Sequence, residues 1–90
     1  MAEITMHIDS IDLIMGIFGA FDENMKVLEK ALDVTVLSRE TELKVTGSDP
    51  ANVELAMQTI KSLMQLAERG ESIGTQTVQY VLGLVKDGRQ

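Results

Sequence analysis

The stretch "MGIFGAFDEN", residues 15–24, sets two glycines three apart, with Ile17 and Phe18 between them. A short Gly-x-x-Gly turn between two helices is one known way to bring backbone amides close to a nucleic-acid phosphate. It is equally a plain way to turn a corner, because glycine tolerates backbone conformations that other residues avoid. The flanking segments narrow the choice.

Upstream, "ITMHI" (4–8) alternates Ile4, Met6 and Ile8 against Thr5 and His7, the period-two pattern of a half-buried strand. Asp9 and Ser10 are candidate helix N-caps, and Ile11, Ile14, Met15 and Phe18 then recur at helical spacing. This predicts a short helix that runs to about Met15 and stops at Gly16. Asp22 caps a second helix, with Met25, Leu28 and Leu32 on one stripe and Lys26, Glu29 and Lys30 on the other faces.

Downstream, "DVTVLS" and "ELKVTG" read as two strands joined by the short connection "SRET". Asp49 caps a long helix with Pro50 in its first turn, where a missing amide costs nothing. Val53, Ala56, Met57, Ile60, Leu63, Met64 and Ala67 keep one apolar face until Gly70. "ESIG" is a linker, and Thr75 caps a last helix carrying Val78, Val81, Leu82 and Val85.

The order β-α-α-β-β-α with a further helix, and with the glycine turn between the first two helices, resembles the type I KH (K-homology) arrangement. The expected class is therefore α+β, a three-stranded antiparallel sheet with helices packed on one face. Strands are expected at about 3–9, 33–39 and 42–47, and helices at about 10–32 and 50–69. Thr5, His7, Thr35 and Lys44 should lie on the open face. Residues 1–70 form the KH-like domain, and 71–90 a linker and C-terminal helix.

Ninety residues suffice for a single domain, burying roughly 60% of the unfolded surface. With two Phe, one Tyr and no Trp, the core must be aliphatic. The chain has no cysteine, which removes disulfides, thiolate metal sites and cysteine nucleophiles together. No apolar run approaches the ~18 residues of a membrane span, and the acidic opening lacks the basic start of a signal peptide. The expectation is a cytoplasmic protein with no membrane contact.

The net charge of −6 has the wrong sign for electrostatic capture of nucleic acid. Residues 1–25 sharpen the point: they carry Glu3, Asp9, Asp12, Asp22 and Glu23 and no Lys or Arg. An anion approaching the glycine turn meets a repulsive field.

The run "IFGAFDENMKVLEKALDVTVLSRETELKVTGSD", the long helix, and then "GTQTVQYVLGLVKDG" resemble the N-terminal domain of PhoH-like proteins over about residues 4 to 89. That resemblance implies a KH-like segment coupled to a C-terminal P-loop ATPase domain that uses ATP and Mg. This chain holds no Gly-x-x-x-x-Gly-Lys-Ser/Thr run to wrap phosphates, so by itself it is expected to bind no cofactor and to catalyse nothing. It is then the N-terminal module alone, either a truncated piece or a short stand-alone relative, with "KDGRQ" as the point before the ATPase domain.

Other chemistry is thin. His7 has no second His and no Cys to share a metal, and reads as an ordinary exposed or edge-strand histidine. Asp9 and Asp12 fit helix capping better than acid–base work. Ser38 and Ser72 have no histidine partner. The Met residues read as core filling.

The candidate nucleic-acid surface is therefore Gly16, Ile17, Phe18 and Gly19 with Lys26, Lys30 and Arg39, and Lys44 nearby. Phe18 completes the apolar stripe, which makes Ile17 the exposed residue of the turn. The expected function is a module that contacts or positions single-stranded RNA for the ATPase. The alternative is a protein-interaction or oligomerisation module, contacting the ATPase domain or assembling as a homo-oligomer without nucleic acid.

Overall fold

The computed structural model describes residues 1–88; Arg89 and Gln90, the end of the segment read as linker and C-terminal helix, lie outside the described residues. Along the chain run β1 (Ala2–His7), α1 (Ile11–Phe18), α2 (Glu23–Leu32), β2 (Val34–Arg39), β3 (Glu42–Gly47), α3 (Pro50–Glu68) and α4 (Thr75–Lys86). The strands form an antiparallel sheet in the order β1-β3-β2. This is the expected α+β, KH-like architecture.

The strand alternation resolves as read. Ile4 opposes Val45 and Met6 opposes Leu43, while Val36 meets Val45 from the other side. These residues face the helices, and Thr5, His7, Thr35 and Lys44 are exposed on the open face. β2 and β3 are joined through Glu40 and Thr41, with Glu40 in the left-handed region at φ 57°.

The helix ends follow local chemistry. Ser10, not Asp9, caps α1, its hydroxyl accepting the Leu13 N–H at 3.3 Å. Asp49 caps α3 by accepting from Ala51 N–H at 2.9 Å, with Pro50 at the first position. α3 closes through Gly70, at φ 89°, where Gly70 N–H donates to Ala67 and Glu71 N–H to Leu66, satisfying carbonyls that the helix end would strand. Gly74 rather than Thr75 precedes α4. Its N–H donates to Thr77 Oγ1 at 3.2 Å.

The larger departure is at α1, which does not stop at Gly16 but runs on to Phe18. A glycine inside a helix costs roughly 1 kcal/mol relative to alanine. Burying Ile17 and Phe18 on the next turn gains about 1.5–3 kcal/mol each, so the helix continues.

Ile14, Ile17 and Phe18 from α1, Met25, Leu28 and Leu32 from α2, and Val53, Ile60 and Leu63 from α3 share one core with Leu43 and Val45. Val78, Val81, Leu82 and Val85 of α4 join it, packing against α3 and α2. Ile60 is fully buried and Lys61 exposed. Ile60→Ala is expected to destabilise the domain by about 2–4 kcal/mol, whereas Lys61→Ala should move a urea melt little. Equal losses would show the helical phase of α3 to be wrong.

Candidate functional site

Because α1 extends through Phe18, the turn to α2 lies three residues later than the glycine spacing suggests, at Gly19-Ala20-Phe21-Asp22. Gly19 adopts φ 77°, ψ −177°, and Phe21 and Asp22 are both left-handed at φ 55° and 58°. Gly19 N–H donates to Met15 and Asp22 N–H to Gly19. Phe21 stands at the tip, 93% exposed.

Asn24 holds this turn from beneath. It is completely buried, and its Nδ2 donates to the Ile73 carbonyl at 3.0 Å, tying the turn to the segment that leads into α4. Among the described residues its buried Oδ1 has no hydrogen-bond partner. Gly19 lies so close that a Cβ there would sit 2.7 Å from Asn24 Nδ2. A shallow groove beside the turn is lined by Met15, Gly16 and Gly19 on one side and Ala67 and Ile73 on the other.

The structure disperses the residues grouped from sequence. Ile17 is fully buried and Phe18 nearly so; Ile17 is therefore not the exposed residue of the turn. Gly16 is an exposed position within α1. Lys26 and Lys30 are exposed on α2, and Lys30 borders a depression shared with Gln79 and Leu82 of α4. Arg39 stands in register with Glu42 and, across β3, His7. Lys44 is on the open face too, its Nζ 3.9 Å from Glu3 Oε1. Gly16 and Gly19 share the groove; the basic residues belong to two other surfaces.

Along the strand that would form the second wall of a nucleic-acid groove, Val36 N–H donates to Glu29 Oε2 at 2.9 Å. A carboxylate thus already occupies an edge amide that an incoming ligand would use. His7 Nε2 lies 3.0 Å from Asp9 Oδ1, both side chains exposed. Among the described residues no group of His, Cys, Asp and Glu could hold a metal, and no helix is long and apolar enough to cross a membrane.

The face of α1 and the turn instead exposes apolar side chains: Ile11 at 55%, Met15 at 66% and Phe21 at 93%. The acids in this part of the chain are Asp9, Asp12, Asp22 and Glu23, all exposed, and residues 1–25 contain no Lys or Arg. Sequence reasoning missed Phe21, Asn24 and Glu29. Asn24 could have been found, since it falls four residues before Leu28 on the apolar stripe of α2.

The chain matches no protein-family profile and no solved structure. It is similar to a PhoH-like protein of Mycobacterium tuberculosis (strain ATCC 25618 / H37Rv), 30% identical over 74 residues that make up 82% of this chain and 21% of the relative. The PhoH-like protein of Mycobacterium leprae (strain TN) is 28% identical over 86 residues, covering 90% of this chain and 24% of the relative. That of Bacillus subtilis (strain 168) is 28% identical over 75 residues, covering 83% and 23%. The chain thus spans between a fifth and a quarter of the length of these curated relatives.

Proposed function

We propose, from the premise that this chain is related to PhoH-like proteins over most of its length, that it is a KH-like accessory module that binds protein through α1 and the turn after it. The occupant we favour is the P-loop ATPase domain that the relationship implies. ATP and Mg would act in that domain, since this chain has no glycine-lysine run to cradle phosphates.

The observation that carries the reading is the exposure of Ile11, Met15 and Phe21 within a segment rich in carboxylates and free of Lys and Arg. Exposed apolar side chains set among carboxylates suit a protein partner, and a partner with apolar side chains flanked by basic residues is their complement. The same field repels phosphates, and Glu29 holds the Val36 amide.

A second reading, single-stranded RNA, is favoured by one observation: an exposed aromatic, Phe21, at the tip of the α1–α2 turn. A base stacked on such a ring gains about 1–3 kcal/mol without sequence preference. NMR titrations decide between the two. Addition of a PhoH-like ATPase domain is expected to shift amides of residues 11–25, and Phe21→Asp should reduce that affinity at least tenfold while leaving the fold intact. Shifts of those amides by single-stranded RNA at low salt, weakened by Lys26→Glu with Lys30→Glu, would instead establish the RNA reading and displace ours.

A further inference from the structure

The two edges of the sheet are finished differently. On β2 the outward-facing Val36 N–H is taken by Glu29, and α2 packs along the strand. Among the described residues no such cover serves β1. Its phase is fixed by Ile8, whose N–H donates to the Thr41 carbonyl at 2.7 Å. By antiparallel alternation, Ile4 and Met6 also turn their peptide groups toward β3, and Glu3, Thr5 and His7 turn theirs outward. Exposed edges are ordinarily blunted by charged side chains, lysine above all, by proline or by a bulge, and Glu3 is the one formal charge on β1. The strand "AEITMH" has no lysine and no proline, and its register with β3 is unbroken.

We propose that β1 pairs antiparallel with β1 of a second copy about a two-fold axis at Thr5, joining the two sheets into one. The register follows from the side chains. An axis at Thr5 pairs Glu3 to His7, five of the strand's six residues, and sets the Glu3 carboxylate opposite the His7 imidazole of the other copy. An axis at Glu3 would oppose two carboxylates, which is destabilising. On the helix-covered face the same register brings Ile4 against Met6 of the other copy, at the closely spaced non-hydrogen-bonded positions. Both side chains are only half-buried in the monomer, so the helix layer stops short of this edge and leaves room for the contact. The pairing uses neither the α1 face nor the turn, and stands apart from what those bind.

Sedimentation velocity over a concentration series is expected to show a monomer–dimer equilibrium. Hydrogen exchange followed by NMR should show the Glu3, Thr5 and His7 amides gaining protection as dimer forms, with Val34 and Ser38 on the opposite edge unchanged. Thr5→Pro removes an N–H that the monomer does not use and should abolish the dimer while the chain stays folded. Thr5→Lys, at an exposed position, sets two like charges on the axis and should weaken the dimer in a manner that added salt relieves. Should Thr5→Pro fail to fold, the lysine variant alone decides. A wild-type chain that stays monomeric at every concentration overturns the proposal, as does a dimer indifferent to Thr5→Lys or one whose formation leaves the three amides unprotected.

Discussion

Ile17→Asp is expected to leave the domain unfolded. Ile17 has no exposed surface and belongs to the central core with Ile14 and Phe18. The change forfeits the ~1.5–3 kcal/mol gained by burying the isoleucine. It also forces a carboxylate to be buried without a partner or to take up a proton, a further cost of several kcal/mol. A chain of this length holds about 5–10 kcal/mol in total, so the losses consume most of it. Collapse of amide dispersion in the NMR spectrum and loss of cooperative melting are the expected readouts. Phe21→Asp, four residues on at an almost fully exposed site, should retain both. A well-folded Ile17→Asp protein would mean that α1 presents a different face to the core.

The same residue shows where sequence reading stopped. Six of the eight residues of α1 are apolar: Ile11, Leu13, Ile14, Met15, Ile17 and Phe18. Two stripes therefore satisfy helical spacing equally, one through Ile11, Ile14, Met15 and Phe18, the other through Leu13, Ile14, Ile17 and Phe18. Periodicity cannot choose between them. Treating Gly16 as a terminus favoured the first, and the structure adopts the second, burying Ile17 and exposing Ile11 and Met15. α3 had no such ambiguity, because Lys61, Gln65 and Glu68 mark its polar face, and its extent and core face were legible. The strands were legible for a related reason: a one-residue slip would have exposed every buried side chain of β2 and β3.

The site was less legible because its key contacts join residues far apart in sequence. Asn24 bonds Ile73 across forty-nine positions, and no local pattern announces that contact. Glu29 reads as an ordinary solvated acid on α2 until β2 is placed beside it. The basic residues illustrate the converse error. Element order alone groups Lys26, Lys30 and Arg39, yet a side chain's direction depends on helix phase and strand face. Lys30 borders α4, and Arg39 stands in register with Glu42 and, across β3, His7.

The two glycines that frame "GIFG" should respond to alanine in opposite directions. Gly16 lies in the interior of α1 with open space where a Cβ would go. Gly16→Ala should therefore stabilise the domain by about 0.4–1 kcal/mol, through a less flexible unfolded chain and better helix propensity. Gly19, at φ 77° and ψ −177°, occupies a region essentially reserved for glycine, and alanine there costs of order 1–3 kcal/mol in backbone strain. Its new Cβ would also sit 2.7 Å from Asn24 Nδ2 and 3.0 Å from Cγ, so the buried amide must move. Displacing it weakens the bond to Ile73 and leaves the buried Asn24 amide and a half-buried carbonyl short of a partner, adding about 1–3 kcal/mol. Gly19→Ala should thus lose about 2–6 kcal/mol in urea melts. Asn24→Ala separates the two contributions: in that background Gly19→Ala meets no amide, and only the backbone strain should remain. Equal costs of Gly19→Ala in both backgrounds would remove Asn24 from the account, and a destabilising Gly16→Ala would return the turn to Gly16, where the spacing of the glycines first suggested it.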